Sequence, residues 1–460
     1  MIVMKFGGSL LENSKNFLEI AEYVKNIEQK GRLVLVISAM KGVTDSLLKL
    51  CELAASGEEL NAGKILLDIE ERHVRVCEEL GLNCSEVRGE LEKLEKIVRG
   101  MLYLGEMTPR VRDLVASFGE NLSGKILTLL LTDMGVNSIF MTGGEAGIIT
   151  DDSHGNANPL LKTTKIYLRM RLMPVLDNAL PVVAGFSGMT RDGKVTTMGR
   201  GGSDLTATLI GSSLGAEEVW IWTDVDGFMT ADPKLVREAK LIRHLSYMEA
   251  IEMAHFGAKR MNPRFLEPAM LTNTPVRVRN FRNRSCEGTL ISGEERKSSS
   301  VVKAVGMRKG VSILTVRGAS IVGRSETTYK LFKELSRNSI NVHMIAQTIS
   351  ESDISLVFDG RVAERARSIV EASLLGSVFR ELTIDRGCAA VAAIGSGMRG
   401  TPGVAARVFR AVAERGINVK MIAQGSSEYS ISFVVDGRDG EEAVRALHAE
   451  FHLDEIGDQT

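Results

Sequence analysis

An internal repeat in the last third of the chain constrains its fold more than any other feature. Residues 341–347, Asn-Val-His-Met-Ile-Ala-Gln, return at an offset of 77 as residues 418–424, Asn-Val-Lys-Met-Ile-Ala-Gln. Thirteen of the twenty residues in 341–360 are identical to their counterparts in 418–437. Each copy reads as a strand, a glycine-rich turn, an amphipathic helix, a strand and an alternating strand. Two copies are too few for a solenoid, so the pattern predicts a small α+β sandwich that is present twice.

The first 300 residues alternate short apolar runs with helical patterns, which predicts a mostly parallel sheet covered by helices. Apolar residues at helical spacing predict a helix that begins near Asn13 and ends at Gly31, and residues 46–135 are mostly helical in pattern. Asp192-Gly193 between short β-prone runs predicts a hairpin. The predicted strands are 2–4, 33–37, 138–141, 180–185, 218–223 and 275–281.

Seven consecutive polar residues at 294–300 mark the predicted boundary between the two parts, although a surface loop within one domain has the same composition. We therefore predict an α/β domain over 1–293, a linker at 294–300, a first repeat domain over 301–386 and a second over 387–460. Residues 301–310 are also candidates for donation to the second repeat domain.

Charge and cysteine content exclude several classes of protein. Lys plus Arg number 57 and Asp plus Glu number 58, which lacks the basic surplus of a duplex binder. No continuous apolar run reaches the ~18–20 residues of a membrane span, and Lys5 comes too early for a secretory signal. Five cysteines without a CxxC pattern indicate reduced thiols. We expect a cytoplasmic protein without nucleic-acid or membrane partners.

The residues Lys5-Phe6-Gly7-Gly8, at the end of the first predicted strand, form a candidate anion site. Glycines let backbone amides approach an anion, the helix that follows adds positive potential, and Lys5 supplies a full charge. A plain strand-to-helix turn with a solvated lysine fits the same residues.

The stretch Gly199-Arg200-Gly201-Gly202-Ser203-Asp204 forms a second candidate anion site. Three glycines surround Arg200, whose planar guanidinium suits a carboxylate or a phosphate. A helix is predicted over 204–214, which makes Ser203 its N-cap. A glycine-rich turn, an arginine and a helix start in this order indicate anion binding.

Acidic residues follow the predicted strand 218–223, in Thr223-Asp224-Val225-Asp226-Gly227. Acids at the carboxyl end of a strand in an open α/β sheet face the ligand crevice, where they can hold Mg²⁺, ligands on Mg²⁺ or the hydroxyls of a nucleotide. A solvated turn is the alternative. Lys259, in Phe256-Gly-Ala-Lys-Arg, adds a further cation beside a turn of small residues.

Two other pattern matches do not indicate a site. Residues 119–125 have P-loop spacing but lie within a helical pattern and follow no strand. Residues 395–400 match the dinucleotide fingerprint, but their counterparts in the first copy do not, and no acid ends the next strand. Each is therefore predicted to be structural.

Two anion cradles with lysines, an arginine and strand-end acids on one α/β domain indicate phosphoryl transfer, which requires mainly positioning and positive charge. The same segments carry a resemblance to the aspartate kinases of the amino-acid kinase superfamily that runs nearly end to end. The repeat resembles paired ACT domains, which bind amino acids. The segments that carry the resemblance are 5–8, 36–45, 117–120, 199–204, 223–227, 232–233 and 256–259.

The resemblance implies an open, mostly parallel sheet between helices, the amino-acid kinase fold, followed by two α+β ACT domains of ferredoxin-like topology. It implies transfer of the γ-phosphoryl group of Mg-ATP to the β-carboxylate of L-aspartate, the first step towards lysine, threonine and methionine. A carboxylate acceptor is already ionised at pH 7, so no general base is assigned. Mg²⁺ would be held by the nucleotide and water, so no protein ligand is assigned either.

The resemblance also implies residue roles at the matching positions. Lys5 and Lys259 would offset charge on the migrating group, and Asp204 would orient a catalytic lysine. Within the aspartate pocket, Arg200 would bind a carboxylate and Glu120 the α-ammonium group. The nucleotide would contact Lys5, Phe6, Gly7, Gly8, Thr223, Asp224, Met229, Lys234, Lys259 and Arg260. The aspartate would contact Ser38, Thr44, Glu120, Arg200 and Ser203.

The repeat resembles most closely the ACT domains of threonine-inhibited members, which implies feedback by threonine, with lysine as the alternative effector. Effector contacts would come from Asn341, Gln347, Asn418 and Gln424, with both glutamines at helix-to-strand turns. ACT domains pair across subunits, so a homodimer or a higher homo-oligomer is implied. The sequence ends soon after Ile456, which predicts no fused homoserine dehydrogenase.

Two alternative functions stay open. A glutamate-type carboxylate kinase differs by one methylene group of substrate, worth only ~1–3 kcal/mol, although the repeat and the helical insert at 46–110 favour aspartate. A non-catalytic amino-acid sensor would keep the ACT pair, but every charged residue that the transfer needs is present in this chain.

Overall fold

The structure is a computed structural model that describes residues 1–29, 31–256, 261–296, 300–318, 325–347, 353–376 and 379–455. The chain forms two compact units that interleave along the sequence. The first comprises Met1–Phe228, Arg243–Tyr247 and Arg260–Glu294. The second comprises Met229–Ile242, Met248–Lys259 and Glu295–Thr460.

An eight-stranded sheet forms the centre of the first unit, with strand order β3-β4-β2-β1-β7-β9-β10-β8. The strands from β3 to β9 in this order run parallel, and β10 is antiparallel to β9. A separate antiparallel hairpin, β5–β6, confirms the turn predicted at Asp192-Gly193. The strands are β1 (Ile2–Phe6), β2 (Leu33–Ile37), β3 (Ser138–Met141), β4 (Leu180–Ala184), β5 (Ser187–Met189), β6 (Val195–Thr197), β7 (Glu218–Thr223), β8 (His244–Ser246), β9 (Val276–Asn280) and β10 (Thr289–Ser292).

Helices cover this sheet, which explains why β2 and β4 are continuous apolar runs whose residues are all buried. Asn13 caps the first helix by accepting a hydrogen bond from the Asn16 amide at 3.1 Å, as its sequence position predicts. The helices that precede residue 294 in the chain are α1 (Ser14–Glu28), α2 (Val43–Ala55), α3 (Glu59–Glu79), α4 (Ser85–Leu104), α5 (Pro109–Asp133), α6 (Gly143–Ala146), α7 (Leu161–Leu176), α8 (Gly202–Leu214), α9 (Tyr247–Phe256) and α10 (Leu266–Thr272). All of these belong to the first unit except α9, which is in the second unit from Met248 onward.

Helix α5 is long and apolar enough, by composition alone, to cross a membrane. However, 78% of its most apolar stretch is buried within the protein. Its side chains Phe118, Leu122 and Ile126 belong to the main hydrophobic core together with β1, β2 and α1. A core helix of a folded domain accounts for this composition.

A six-stranded antiparallel sheet with helices forms most of the second unit, and it contains both copies of the repeat. Its strand order is β12-β13-β11-β14-β16-β15. Most of α9 also belongs to this unit. The elements are β11 (Ala304–Arg317), α11 (Ser325–Arg337), β12 (Met344–Gln347), β13 (Asp353–Asp359), α12 (Gly360–Leu374), β14 (Glu381–Ile394), α13 (Val404–Ala413), β15 (Met421–Ala423), β16 (Ser430–Asp436) and α14 (Gly440–Glu450).

The two long central strands, β11 and β14, each serve both copies of the repeat. Residues 304–309 pair with 389–394 beside β16 of the second copy, whereas 313–317 pair with 381–385 beside β13 of the first. The register shifts at Gly310, and both Gly310 and its counterpart Gly387 have positive φ angles. Residues 304–309 therefore complete the sheet of the second copy. The first copy has the strand–helix–strand–strand–helix–strand order of a ferredoxin-like sandwich along the chain, whereas the second takes its last strand from residues 304–309, which precede it in the sequence.

The fold class predicted from the sequence is confirmed in both units. Strands β8 and β10 were not predicted; they are three and four residues long and pair with each other near the edge of the sheet. The predicted domain boundaries stay a prediction, because the two units interleave rather than meet at one point.

Candidate active site

Lys5 lies near the carboxyl end of β1, the strand between β2 and β7 in the centre of the first-unit sheet. Its side chain is only 9% exposed, and its Nζ lies 2.6 Å from Oδ1 of Asp204. Asp204 is in the first turn of α8 and is 5% exposed. Buried charges are rarely left unpaired. The structure thus brings together two of the three predicted catalytic residues at the edge where an open α/β sheet binds its ligand.

The glycine pair after β1 lies against the backbone of neighbouring segments. The Gly7 amide donates to the Trp222 carbonyl at 3.3 Å, which joins the turn to the end of β7. A Cβ atom on Gly8 would come within 2.7 Å of the Ala39 carbonyl oxygen, so no larger residue fits there without a shift of backbone. A Cβ atom on Gly7 would come 3.4 Å from Lys5 Nζ. The glycines therefore leave the space above the Lys5 ammonium group open.

The second glycine turn leads directly into α8, but its cap differs from the prediction. Gly201, at φ +79°, occupies the N-cap position, and Gly199 also has a positive φ of +73°. Ser203 is therefore the second residue of the helix, and the prediction that it caps the helix is wrong. Ser203 packs against Gly185 at the end of β4. A Cβ atom added to Gly185 would lie 2.6 Å from the Cβ atom of Ser203. The turn holds Arg200 with its side chain exposed.

Glu120 is a buried carboxyl group on α5, 3% exposed, within electrostatic range of Lys5. Its burial raises its pKa to about 8, although the Ala39 amide and Lys5 oppose this shift. Its Oε2 has no hydrogen-bonding partner among the residues that the structure describes. A buried acceptor without a partner is suited to a cationic group of a ligand.

The remaining predicted aspartate contacts lie on segments that follow β2. The Ser38 amide donates to the Phe6 carbonyl at 3.2 Å, which places Ser38 beside the end of β1. Thr44 is in the first turn of α2, half-buried. Ala39 links these parts, because its carbonyl oxygen packs on Gly8 and its amide contacts the Glu120 carboxyl group.

Thr223 and Asp224 lie at the carboxyl end of β7, the strand next to β1. The Thr223 hydroxyl donates to Asp224 Oδ1 at 3.2 Å. Asp226, two residues further, accepts hydrogen bonds from the side-chain amides of Asn280 at 2.8 Å and Asn283 at 3.3 Å. Asp226 therefore fixes this turn to the end of β9, whereas Thr223 and Asp224 lie beside the glycine pair.

Other predicted nucleotide contacts are not part of this cluster as the structure describes it. Lys259 and Arg260 lie outside the described residues. Met229 and Lys234 belong to the second unit. Among the predicted catalytic residues, the structure therefore describes Lys5 and Asp204 only.

The predicted effector residues occupy equivalent places in the two copies of the repeat. Gln347 is the last residue of β12 and Gln424 directly follows β15, so neither lies at the predicted helix-to-strand turn. Asn341 and Asn418 precede these strands, and all four side chains are exposed. Strands β12 and β15 are the two outer strands of the sheet, yet they come into contact, and Met344 and Met421 share one hydrophobic cluster.

Sequence reasoning missed the side chains that support the second glycine turn from outside. Asn262 Nδ2 donates to the Arg200 carbonyl at 2.7 Å, and the Asn262 Oδ1 accepts from the Arg264 amide at 3.1 Å. The Asn-Pro pair at 262–263, which begins a short 3₁₀ turn, was the available sequence signal. In chemical terms the sheet edge offers a buried cation, two glycine turns and a carboxyl group with one oxygen that has no partner within the described part of the chain.

Comparisons with known proteins agree with one another. The amino acid kinase family model matches residues 1–280, and the ACT domain model matches residues 314–374 and 391–451. Aspartokinase 1, chloroplastic, of Arabidopsis thaliana is 35% identical over 460 residues, which cover 98% of this chain and 80% of that protein.

Solved structures give the same result. E. coli aspartokinase III in complex with aspartate and ADP, in the R-state, has a TM-score of 0.84 at 28% identity and covers 98% of this chain and 100% of its own. The same protein in complex with lysine and aspartate, in the T-state, has a TM-score of 0.79 at 28% identity and covers 98% and 99%.

Proposed function

Because the chain belongs to the aspartokinases of the amino acid kinase family, we propose that the cluster around Lys5 transfers the γ-phosphoryl group of ATP to the β-carboxylate of L-aspartate. The product is 4-phospho-L-aspartate, formed in the first step towards lysine, threonine and methionine. The observation that carries this placement is the buried Lys5–Asp204 pair at the carboxyl edge of the sheet, beside a glycine turn on each side.

The acceptor carboxylate is ionised at neutral pH, so the enzyme has no proton to remove before attack. The difficulty is to hold two anions close together and nearly in line. Lys5 meets this need because its ammonium group is buried, where charge acts more strongly than in water. Asp204 holds that group in one place at 2.6 Å.

Aspartate would be recognised through its three charged groups. Within the described residues, the hydrogen bond to Arg200 reaches its backbone carbonyl, from Asn262, so its exposed side chain can turn towards a carboxylate. The unpartnered Oε2 of Glu120 would accept from the α-ammonium group. Ser38, Thr44 and Ser203 supply hydroxyl groups around this position.

Glu120 predicts a pH dependence for aspartate binding. Its pKa of about 8 in the unliganded protein means that the carboxyl group is mostly neutral below that pH. An ammonium ligand favours the ionised form, so kcat/KM for aspartate should rise with pH by up to about tenfold per unit and level off near pH 8. The measurement is the pH profile of kcat/KM for aspartate at saturating ATP.

The control for this profile is Glu120→Gln. We expect this variant to lose the pH-dependent limb and to bind aspartate about tenfold to a hundredfold more weakly at pH 8. An unchanged limb in Glu120→Gln would assign the ionisation to another group.

ATP is proposed to enter as its magnesium complex, with the metal held by phosphate oxygens and water. The carboxylate of Asp224, at the carboxyl end of β7, is of the oxygen-donor type that Mg²⁺ takes directly or through water. Thr223 and the amide of Gly8 would contact the nucleotide from the same edge, while the Gly7 amide stays bonded to the Trp222 carbonyl.

A coupled ADP-release assay with aspartate or glutamate tests the proposed reaction. We expect turnover with aspartate at a kcat/KM at least about tenfold above that with glutamate. Comparable turnover with glutamate would favour the glutamate-type kinase. No turnover with either substrate, together with binding of an amino-acid effector, would favour the sensor.

Feedback by an amino acid through the second unit is proposed on two observations, and threonine is proposed as the effector from the resemblance of the repeat to threonine-inhibited members. The ACT domain model matches both copies of the repeat, and a solved relative binds lysine, an amino acid, in its T-state. Asn341 and Gln347 are exposed in the first copy, and Asn418 and Gln424 are exposed at the equivalent positions of the second. Each copy therefore offers the same two side-chain amides to an effector.

Replacing Gln347 with alanine is expected to raise the threonine concentration for half-maximal inhibition by about tenfold or more, because one hydrogen bond to a charged ligand is lost. The kcat without threonine should not change, since Gln347 is not in the first unit. Gln424→Ala is the matched variant in the second copy. Inhibition by lysine and not by threonine would contradict the effector assignment.

A homodimer or a higher homo-oligomer is proposed from the resemblance to ACT proteins, and sedimentation equilibrium tests it. A cytoplasmic location is proposed because all five cysteines are free thiols, which suits a reducing compartment.

A further inference from the structure

Arg264 joins two separate loops of the first unit through its guanidinium group and its backbone. Its Nη1 donates to the side-chain oxygen of Asn156 at 2.7 Å, and its Nη2 donates to that of Asn158 at 2.9 Å. Its backbone amide donates to Asn262 Oδ1 at 3.1 Å. The planar guanidinium group has two nitrogens that reach Asn156 and Asn158 at once, which the single ammonium group of a lysine does not provide.

Asn156, which the Arg264 side chain contacts, and Asn262, which the Arg264 backbone amide contacts, lie on either side of the glycine turn. Asn262 Nδ2 donates to the Arg200 carbonyl at 2.7 Å, and a Cβ atom on Gly201 would lie 2.7 Å from Asn262 Cβ. On the other side, a Cβ atom on Gly199 would lie 2.7 Å from Asn156 Oδ1. The Gly199-Arg200-Gly201 turn is thus held between Asn156 and Asn262.

The loop that carries Asn156 is itself anchored to the core. Asp113 on α5, 1% exposed, accepts from the Gly155 amide at 3.0 Å and from the Thr197 hydroxyl at 2.6 Å. The Nδ1 of His154 lies 2.7 Å from Oδ2 of Asp113. Arg264 therefore ties the turn to a platform that is fixed by a buried carboxylate, rather than to a loop in solvent.

We propose that Arg264 is a positioning residue for aspartate: its guanidinium group, through Asn156, and its backbone amide, through Asn262, form a clamp that sets where Arg200 presents its side chain. The glycines at 199 and 201 give the turn backbone freedom that these contacts remove. Helix α8 is buried along its length, so Asp204 and its contact with Lys5 depend less on this clamp. The inference rests on the proposed role of Arg200.

The test is steady-state kinetics of Arg264→Lys in the full-length protein. We expect KM for aspartate to rise about tenfold to a hundredfold, since a displacement of about 1 Å in a positioning group is enough for such a loss. KM for ATP should stay within about twofold. Adding guanidinium ion to Arg264→Ala should recover part of the aspartate affinity, which a general loss of folding would not allow.

Two further variants complete the test. In the Asn156→Ala background, adding Arg264→Lys should raise KM for aspartate little further, because the Arg264 side chain acts on the glycine turn through its contact with Asn156. Arg171→Lys is the matched control, since Arg171 also donates to backbone carbonyls of the first unit, those of Gly144 and Glu145 in the short helix α6. It should leave KM for aspartate unchanged.

The outcomes separate this inference from the proposed function. If Arg200→Ala raises KM for aspartate but Arg264→Lys does not, the clamp is overturned while the aspartate site stands. If Arg200→Ala has no effect on KM for aspartate, the proposed aspartate site itself is wrong. Equal rises in KM for ATP and aspartate in Arg264→Lys would show a general structural role and overturn the inference.

Discussion

Replacing Lys5 with alanine is expected to lower kcat by about a hundredfold to a thousandfold, the loss usual for one preorganised charge at a transition state. Lys5 is the cation that the structure places at the carboxyl edge of β1, next to both glycine turns. Because its ammonium group is buried and held 2.6 Å from Asp204, solvent cannot replace it. The measurement is coupled ADP release at saturating ATP and aspartate.

Removal of Lys5 leaves the Asp204 carboxylate buried without its partner, so the variant must be checked for folding. Lys5→Met fills the space that Lys5→Ala leaves. Asp204→Asn keeps the Lys5 charge and removes only the carboxylate that positions it, so we expect a smaller loss of kcat in Asp204→Asn. Lys25→Ala is the matched control, because Lys25 donates to the Met134 carbonyl at 2.7 Å in the same unit. A Lys5→Ala variant that folds and retains more than about a tenth of the wild-type kcat would contradict the assigned role.

The second large effect is expected from the buried ion pair of the second unit. Lys303 Nζ lies 3.0 Å from Glu249 Oε2, and the two residues are 3% and 0% exposed. Glu249 Oε1 also accepts from the Ser396 amide at 2.7 Å, so α9 is tied to the second copy of the repeat. Lys303→Met should lower the free energy of unfolding by about 3–5 kcal/mol, because it removes the positive charge that compensates the buried Glu249 carboxylate.

Denaturant unfolding followed by two signals tests this expectation. Both tryptophans, Trp220 and Trp222, lie in the first unit, so their fluorescence reports that unit while far-ultraviolet circular dichroism reports both. The loss should appear in the dichroism transition. Lys309→Met is the matched control, since Lys309 pairs with Glu441 in an exposed ion pair that water and salt screen. Equal effects of the two variants, or no relief in Lys303→Met/Glu249→Gln, would contradict the prediction.

The repeat made the second unit predictable in detail. Gly310 and Gly387 are counterparts at the offset of 77, and both adopt positive φ where the long strands pass from one copy to the other. A side chain at Gly360 or at its counterpart Gly437 would collide with the carbonyl oxygen of one of these glycines. The same steric requirement therefore applies at equivalent positions of both copies, which accounts for the glycines that the two copies share there.

The first unit was predictable where a strand is long and apolar or where glycines flank a charge. β8 and β10 were missed because three or four residues show no periodicity, and their pairing joins distant segments. The N-cap at Ser203 was wrong because a glycine with positive φ can begin a helix without a side-chain cap. The clamp was missed because Arg264 and Asn156 are 108 residues apart and belong to no motif.

The most direct test of the central claim is a crystal structure of the protein with ADP, Mg²⁺ and L-aspartate. We expect Lys5 Nζ within about 3 Å of a nucleotide phosphate oxygen, and Arg200 and Glu120 on the charged groups of the aspartate, whose β-carboxylate faces the phosphates. Aspartate bound away from the Gly199–Ser203 turn, or Lys5 in contact with Asp204 alone, would contradict that claim.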